Sequence, residues 1–209
     1  MVDREGQPYY TRIRRVFFVM KVQAQERDAM RIREAELRDA AAMARVSVDS
    51  YRSAHRDQVP EESLMKFTYE ESERNWARTL REFNESAERE EYIYVAENDE
   101  GLLTGVAMGG PERSNHPLYT GEIYFLYLLP EYHRQGIGRQ LTISVVKRLV
   151  DQDMDSLLIR VLRENAPARR FYEALGGQLV LEEQFEERGA VLAGVGYGWR
   201  DVSELLHSG

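Results

Sequence analysis

A long apolar run, EIYFLYLL from Glu122 to Leu129, breaks off at Pro130, and the pair Gly136 and Gly138 follows at once. A helical run, RQLTISVVKRLVDQ, comes next. Proline cannot continue a central strand, so a strand must end here, turn tightly and feed the start of a helix. Such a junction leaves the first N–H groups of the helix without intrahelical partners, at the positive end of its dipole, which makes it an anion site. Gly136 and Gly138 let a phosphate approach the main chain, and Arg134 and Arg139 add charge that can pair with its oxygens.

The junction alone admits three readings. A nucleotide P-loop requires Lys-Ser or Lys-Thr after the second glycine, where this chain has Arg139-Gln140. A dinucleotide fold requires GxGxxG early in the chain, but Leu141 stands at the third glycine position and the strand comes late. The third reading is a plain strand-to-helix turn with no ligand.

The rest of the chain sets the context. MRIREAEL alternates as a strand from Met30, Asp39 is a plausible cap, and AAAMARVSVDSYRSAH reads as a helix. QVPEESLMKF is a loop in which Pro60 and the acidic residues after it suit a helix first turn. EESERNWARTLREF places Trp76, Leu80 and Phe83 at helical spacing. YIYVAEN, a turn at Asp99–Gly101 and LLTGVAMGG form a hairpin. SLLIRVL reads as a buried strand, NAPARRFYEAL as a helix stopped by Gly176–Gly177, and the last segment as two strands around an ERG turn. The order β-α-α-β-β-β-α-β-α-β-β predicts a mixed α/β domain with hairpins rather than repeated βαβ units.

Residues 1–29 are basic and aromatic without a clean period, and read as an N-terminal extension to a domain spanning 30–209. Two explanations stand for the extension: a flexible or partner-contacting arm, or a start assigned upstream of Met20 or Met30.

Composition narrows the partners. The chain has no cysteine, which excludes disulfides, a thiolate nucleophile and thiolate metal sites. The four histidines are scattered without paired spacing, so no metal is expected. A net charge of −8 argues against a nucleic-acid binder and leans towards a cationic partner such as an amine. No apolar run approaches the roughly 18 residues that span a bilayer, and VFFVM is too short for a secretory core, so a cytoplasmic protein without membrane partners is expected.

LYLLPEYHRQGIGRQLTISVVKRL, followed by IRVLRENAPARRFYEALGG, closely resembles the GNAT superfamily of N-acetyltransferases. The family's phosphate loop, Gln/Arg-x-x-Gly-x-Gly/Ala, matches His133 to Gly138, and its later signature matches Asn165 to Gly177. The closing YGWRD is similar to the last strand of many members, so the resemblance runs from about Met30 to Asp201. It departs at the first motif position, where His133 replaces Gln or Arg, predicting a weakened or rearranged contact there.

The resemblance implies the GNAT fold: a mostly antiparallel sheet with one splayed parallel pair, flanked by about four helices. It implies acetyl-CoA as co-substrate, its pantetheine arm pairing with backbone at Leu126, Tyr127 and Leu128 as an added strand would. The pyrophosphate would fall on Arg134, Gln135, Gly136, Ile137, Gly138 and Arg139, with Asn165 and Arg169 as further cofactor contacts. The implied reaction is direct attack by an amine on the thioester, with Tyr172 giving a proton to the leaving sulfur. Some members carry a base where Glu122 stands, others use a water relay, and both remain open here.

The acceptor, a small molecule or a protein amine, is expected between Ser50–Phe67 and Phe185–Val195, with Tyr51, Tyr69, Glu61 and Glu62 as candidate contacts. A non-catalytic acyl-CoA sensor or scaffold is the alternative function. Family habit and an open sheet edge predict a monomer or homodimer.

Overall fold

The structure, a computed structural model, describes residues 30–86 and 89–207. The expectations placed on residues 1–29 lie outside the described residues.

Strand β1 (Arg31–Glu34) is followed by a 3-10 turn and helix α1 (Ala40–His55), short α2 (Glu61–Met65) and α3 (Tyr69–Glu85). Strands β2 (Tyr92–Glu97), β3 (Leu103–Pro111) and β4 (Gly121–Leu128) come next, then α4 (Ile137–Val150), β5 (Leu157–Leu162) and α5 (Ala166–Ala174). Strands β6 (Gln178–Glu187) and β7 (Ala190–Trp199) and helix α6 (Ser203–His207) close the chain. The strands form one seven-stranded sheet in the order β1-β2-β3-β4-β5-β7-β6. Every neighbouring pair is antiparallel except β4 and β5, so the mixed sheet with one parallel pair is as expected. The additions to the expected order are α2, which Pro60 opens inside the presumed loop, and the terminal α6.

Asp39 does not cap α1 with its side chain. Its carboxylate turns back to accept Arg33 Nη1 and Nη2 at 2.7 and 2.9 Å and the Glu36 N–H at 2.7 Å. Burial works against ionising Asp39, but these donors outweigh it and hold its carboxyl below the usual range. Arg33 also reaches Glu97 on β2 at 2.7 Å, so the entry to α1 is pinned to the sheet. In α3 the Thr68 hydroxyl caps the helix through the Glu71 N–H, and Trp76 and Leu80 are buried.

The two sheet faces carry different packing. Val106 and Met108 of β3 join Met43, Val46, Trp76 and Leu80 in a core beneath α1 and α3. The opposite face of β3 is stripped to Gly105, Ala107 and Gly109, and α4 lies close against it. A Cβ on Gly109 would meet Val145 at 2.7 Å and the Glu122 carbonyl at 2.6 Å, so only glycine permits that approach. A second cluster joins Tyr51, Leu64 and Phe67 to Leu162, Phe185 and Leu192, with Tyr127 packed against it, and so bridges α1, α2 and the loop after it to the far half of the sheet. Among the described residues no helix is long and apolar enough to cross a membrane.

Candidate active site

The parallel pair parts almost as soon as it forms. Strand β4 meets β5 only over Gly121–Ile123 against Leu157–Ile159. Beyond that point β4 stays on β3 and β5 stays on β7. A β-bulge drives the parting: Met108 faces Phe125 while Gly109 faces Ile123, leaving Tyr124 as an extra residue that bends β4. The Leu129 N–H donates to the Thr104 carbonyl at 2.9 Å, which sets the alternation along β4. Leu126 and Leu128 therefore turn both N–H and C=O into the gap, while those of Tyr127 face β3. The wedge thus has a main-chain edge that an extended amide can join.

Where β4 ends, the loop at 133–138 turns into α4. Arg134 and Gly136 both adopt left-handed backbone, at φ 61° and 81°. A Cβ at Gly136 would meet no protein atom within 4 Å, so within the fold its glycine answers to backbone conformation. Gly138 answers to space, since its Cβ would stand 3.3 Å from Phe171 Cζ on α5. Gly136 caps α4 without any side-chain hydrogen bond, leaving the first-turn N–H groups of Ile137 and Gly138 to point outwards. The His133 ring contacts the Leu128 carbonyl at 3.0 Å, and the Gln135 amide donates to the Glu131 carbonyl at 3.1 Å. Arg134 is exposed and Arg139 half-buried.

Helix α5 begins beside this loop. Asn165 caps it by accepting the Ala168 N–H at 3.2 Å, which occupies its carbonyl oxygen and leaves its NH2. Arg169 donates to the Tyr197 hydroxyl and the Arg163 carbonyl, both at 3.1 Å. That hydroxyl in turn donates to Glu173 at 2.6 Å, tying α5 to β7. Tyr172 is 6% exposed, and its ring stands 6.0 Å from that of Tyr197. Among the described residues its hydroxyl has no hydrogen-bond partner, and burial pushes the phenol above its ordinary pKa.

Glu122 lies at the closed end of the wedge with its side chain 1% exposed. Its carboxylate accepts the Arg113 N–H and Nε at 3.2 Å and Nη2 at 2.8 Å, and Arg160 Nη1 stands 3.0 Å away. A carboxylate offers about four lone-pair sites, and these contacts claim them. Arg160 also pairs with Glu112 at 2.9 Å and Glu183 at 3.2 Å. Glu112 further accepts the Ser114 hydroxyl and the Ser114 and His116 N–H groups. Burial opposes its charge, but these donors with Arg160 hold it at about 2.

On the expected acceptor side, Tyr51 packs edge-on against Phe67 at 5.3 Å, and Tyr69 donates to Asp49 at 2.5 Å. Glu61 and Glu62 are exposed on α2, Glu62 beside Lys66. Ser50 Oγ and Arg52 Nε are buried without a hydrogen-bond partner at the end of α1. The β6–β7 turn, with Arg188 and Gly189 both left-handed, sits on this side, where Arg188 lies over the Phe67 ring at 4.3 Å.

A family profile described as "Acetyltransferase (GNAT) family" matches residues 51–177. The chain belongs to this family. GNAT membership makes it an acetyl-CoA-dependent acyltransferase. It is 36% identical over 175 residues to the uncharacterized N-acetyltransferase YuaI of Bacillus subtilis, covering 83% of this chain and 95% of that one. The same GNAT fold occurs in the PaiA N-acetyltransferase of Thermoplasma acidophilum, solved with coenzyme A (TM-score 0.60, 18% identity, 82% of this chain and 99% of that one). It also occurs in an N-acetyltransferase of Staphylococcus aureus (TM-score 0.61, 19% identity, 83% and 99%).

Sequence reasoning missed the two arginines that hold Glu122. One signal was present: Arg160 interrupts the otherwise apolar SLLIRVL, and a charge inside a buried GNAT strand requires a partner. Arg113 carried no such mark, because it lies in a loop.

Proposed function

We propose that the chain transfers the acetyl group of acetyl-CoA to a primary amine of a small molecule or protein, by direct attack of the amine on the thioester. The observation that carries this reading is the wedge, whose main-chain edge at Leu126 and the Leu128 N–H leads to the unpartnered first-turn N–H groups after the 133–138 loop. Coenzyme A suits that layout: amide groups in its arm match the strand edge, and its pyrophosphate matches the helix start flanked by Arg134 and Arg139. Asn165 keeps an NH2 for the same ligand.

Tyr172 is the proton donor in this reading. As the amine adds and the C–S bond breaks, nitrogen must lose a proton and sulfur must gain one. A thiol titrates near 8.5 and a phenol near 10, so an unassisted proton transfer from Tyr172 to the thiolate is uphill. Burial raises the Tyr172 phenol further, so its hydroxyl first stabilises the leaving sulfur as a hydrogen-bond donor. The amine's proton passes to water, and water returns a proton to Tyr172 as the Tyr172 proton passes to the sulfur, so that the thiol leaves and the phenol is restored. The expected base, Glu122, has its oxygens already claimed by Arg113 and Arg160, which favours water as the first acceptor.

A screen of amines and peptides with acetyl-CoA, following free thiol, tests the reading. Turnover with at least one amine is expected. Tight coenzyme A binding without thiol release from any amine would replace it with a sensor role.

A further inference from the structure

We propose that His133 is a positioning residue that ties the phosphate loop to the cofactor-facing edge of β4 and does not contact the phosphates itself. The inference rests on the coenzyme A site of the preceding reading. His133 stands where the family carries Gln or Arg, at the head of the glycine loop.

Its ring is turned towards the end of β4. The Leu129 N–H donates across to Thr104, and in a trans peptide the preceding carbonyl points the opposite way. The Leu128 carbonyl therefore looks into the wedge, and His133 Nε2 meets it at 3.0 Å. A carbonyl only accepts, so Nε2 carries the proton. The His133 main chain is held as well, its N–H donating to the Pro130 carbonyl at 3.1 Å. Gln135 repeats the pattern one step on, its amide turned back to Glu131. Both side chains are engaged with carbonyls of the preceding segment, and the first-turn N–H groups of Ile137 and Gly138 have no intrahelical partner.

The His133 contact sets the distance between two halves of one ligand site. Leu128 belongs to the strand edge that would pair with an extended amide, and Gly136 to Gly138 belong to the anion site. A ligand spanning both halves needs that spacing, whereas a ligand touching only the anion site does not.

Binding to the intact chain by calorimetry tests this, with coenzyme A and its nucleotide half, adenosine 3′-phosphate 5′-diphosphate, as probes. His133→Ala should weaken coenzyme A by about 3- to 10-fold, the range of one hydrogen bond, and leave the nucleotide within about 2-fold. His133→Gln, which can donate to the same carbonyl, should restore coenzyme A binding. His133 is exposed, and thermal unfolding of both variants should match the parent. Equal weakening of both probes would make His133 a phosphate ligand and overturn the proposal. Unchanged coenzyme A binding in His133→Ala would overturn it as well. A parent chain that binds neither probe would remove the coenzyme A site itself, a distinct result.

Discussion

Arg160 Nη1 stands 3.0 Å from Glu122 Oε1, joining the two parallel strands just where they begin to part. The contact lies at the apex of the wedge, and Arg113 closes the other side of the same carboxylate. Glu122→Gln keeps an acceptor but removes the charge, leaving two guanidinium groups short of a partner. We expect a stability loss of about 1–3 kcal/mol by denaturant titration, with the pH profile of turnover unchanged in shape. Disappearance of the acidic limb of that profile would identify Glu122 as the base after all.

Tyr172→Phe separates chemistry from folding unusually cleanly. Among the described residues the hydroxyl has no hydrogen-bond partner, so its removal should leave the thermal midpoint close to the parent's. Turnover should fall by about 100-fold, the lower end of general acid catalysis, with coenzyme A affinity unchanged. Full activity in this variant would remove Tyr172 from the mechanism.

The two loop glycines should respond differently to alanine. Gly136→Ala forces a side chain into left-handed backbone and should cost about 1–2 kcal/mol, or shift the loop and weaken coenzyme A. Gly138 has no such φ, and its added methyl presses only on the end of the Phe171 ring. Alanine also favours helix by about 1 kcal/mol over glycine, so Gly138→Ala should be nearly neutral in stability. Thermal unfolding and calorimetry of the pair check the contrast.

Acid stability should depend on Glu112. Its carboxyl is held at about 2 in the fold against an ordinary 4.5. The unfolded chain therefore takes up the proton first as pH falls. The stabilisation from this charge is complete above about 4.5 and is lost progressively towards 2. Glu112→Gln should lower stability at neutral pH and flatten its decline below 4.5, read from denaturant midpoints across that range. An unchanged slope would show that Glu112 is not the group responsible.

Much of the frame was legible in local pattern. Alternation in EIYFLYLL, helical spacing of Trp76 and Leu80, and the turn residues at Gly101 and Gly189 mark elements whose cause lies within a few residues. Asp39 was read as a local cap and proved to be the partner of Arg33 and the Glu36 N–H, because an ion pair formed on folding outbids a short-range habit.

The sequence by itself determined that a strand ends at Pro130, that a glycine turn at Gly136 and Gly138 feeds a helix, and that Gly176 stops the helix that follows Asn165. Each follows from the covalent limits of one residue and its near neighbours. Only the tertiary structure decided that the Leu128 carbonyl meets His133, that Glu122 is claimed by Arg113 and Arg160, and that the Tyr172 hydroxyl has no hydrogen-bond partner among the described residues. Those outcomes depend on the bulge at Tyr124 and on how far β4 and β5 diverge, which the register of neighbouring strands sets and no single segment encodes.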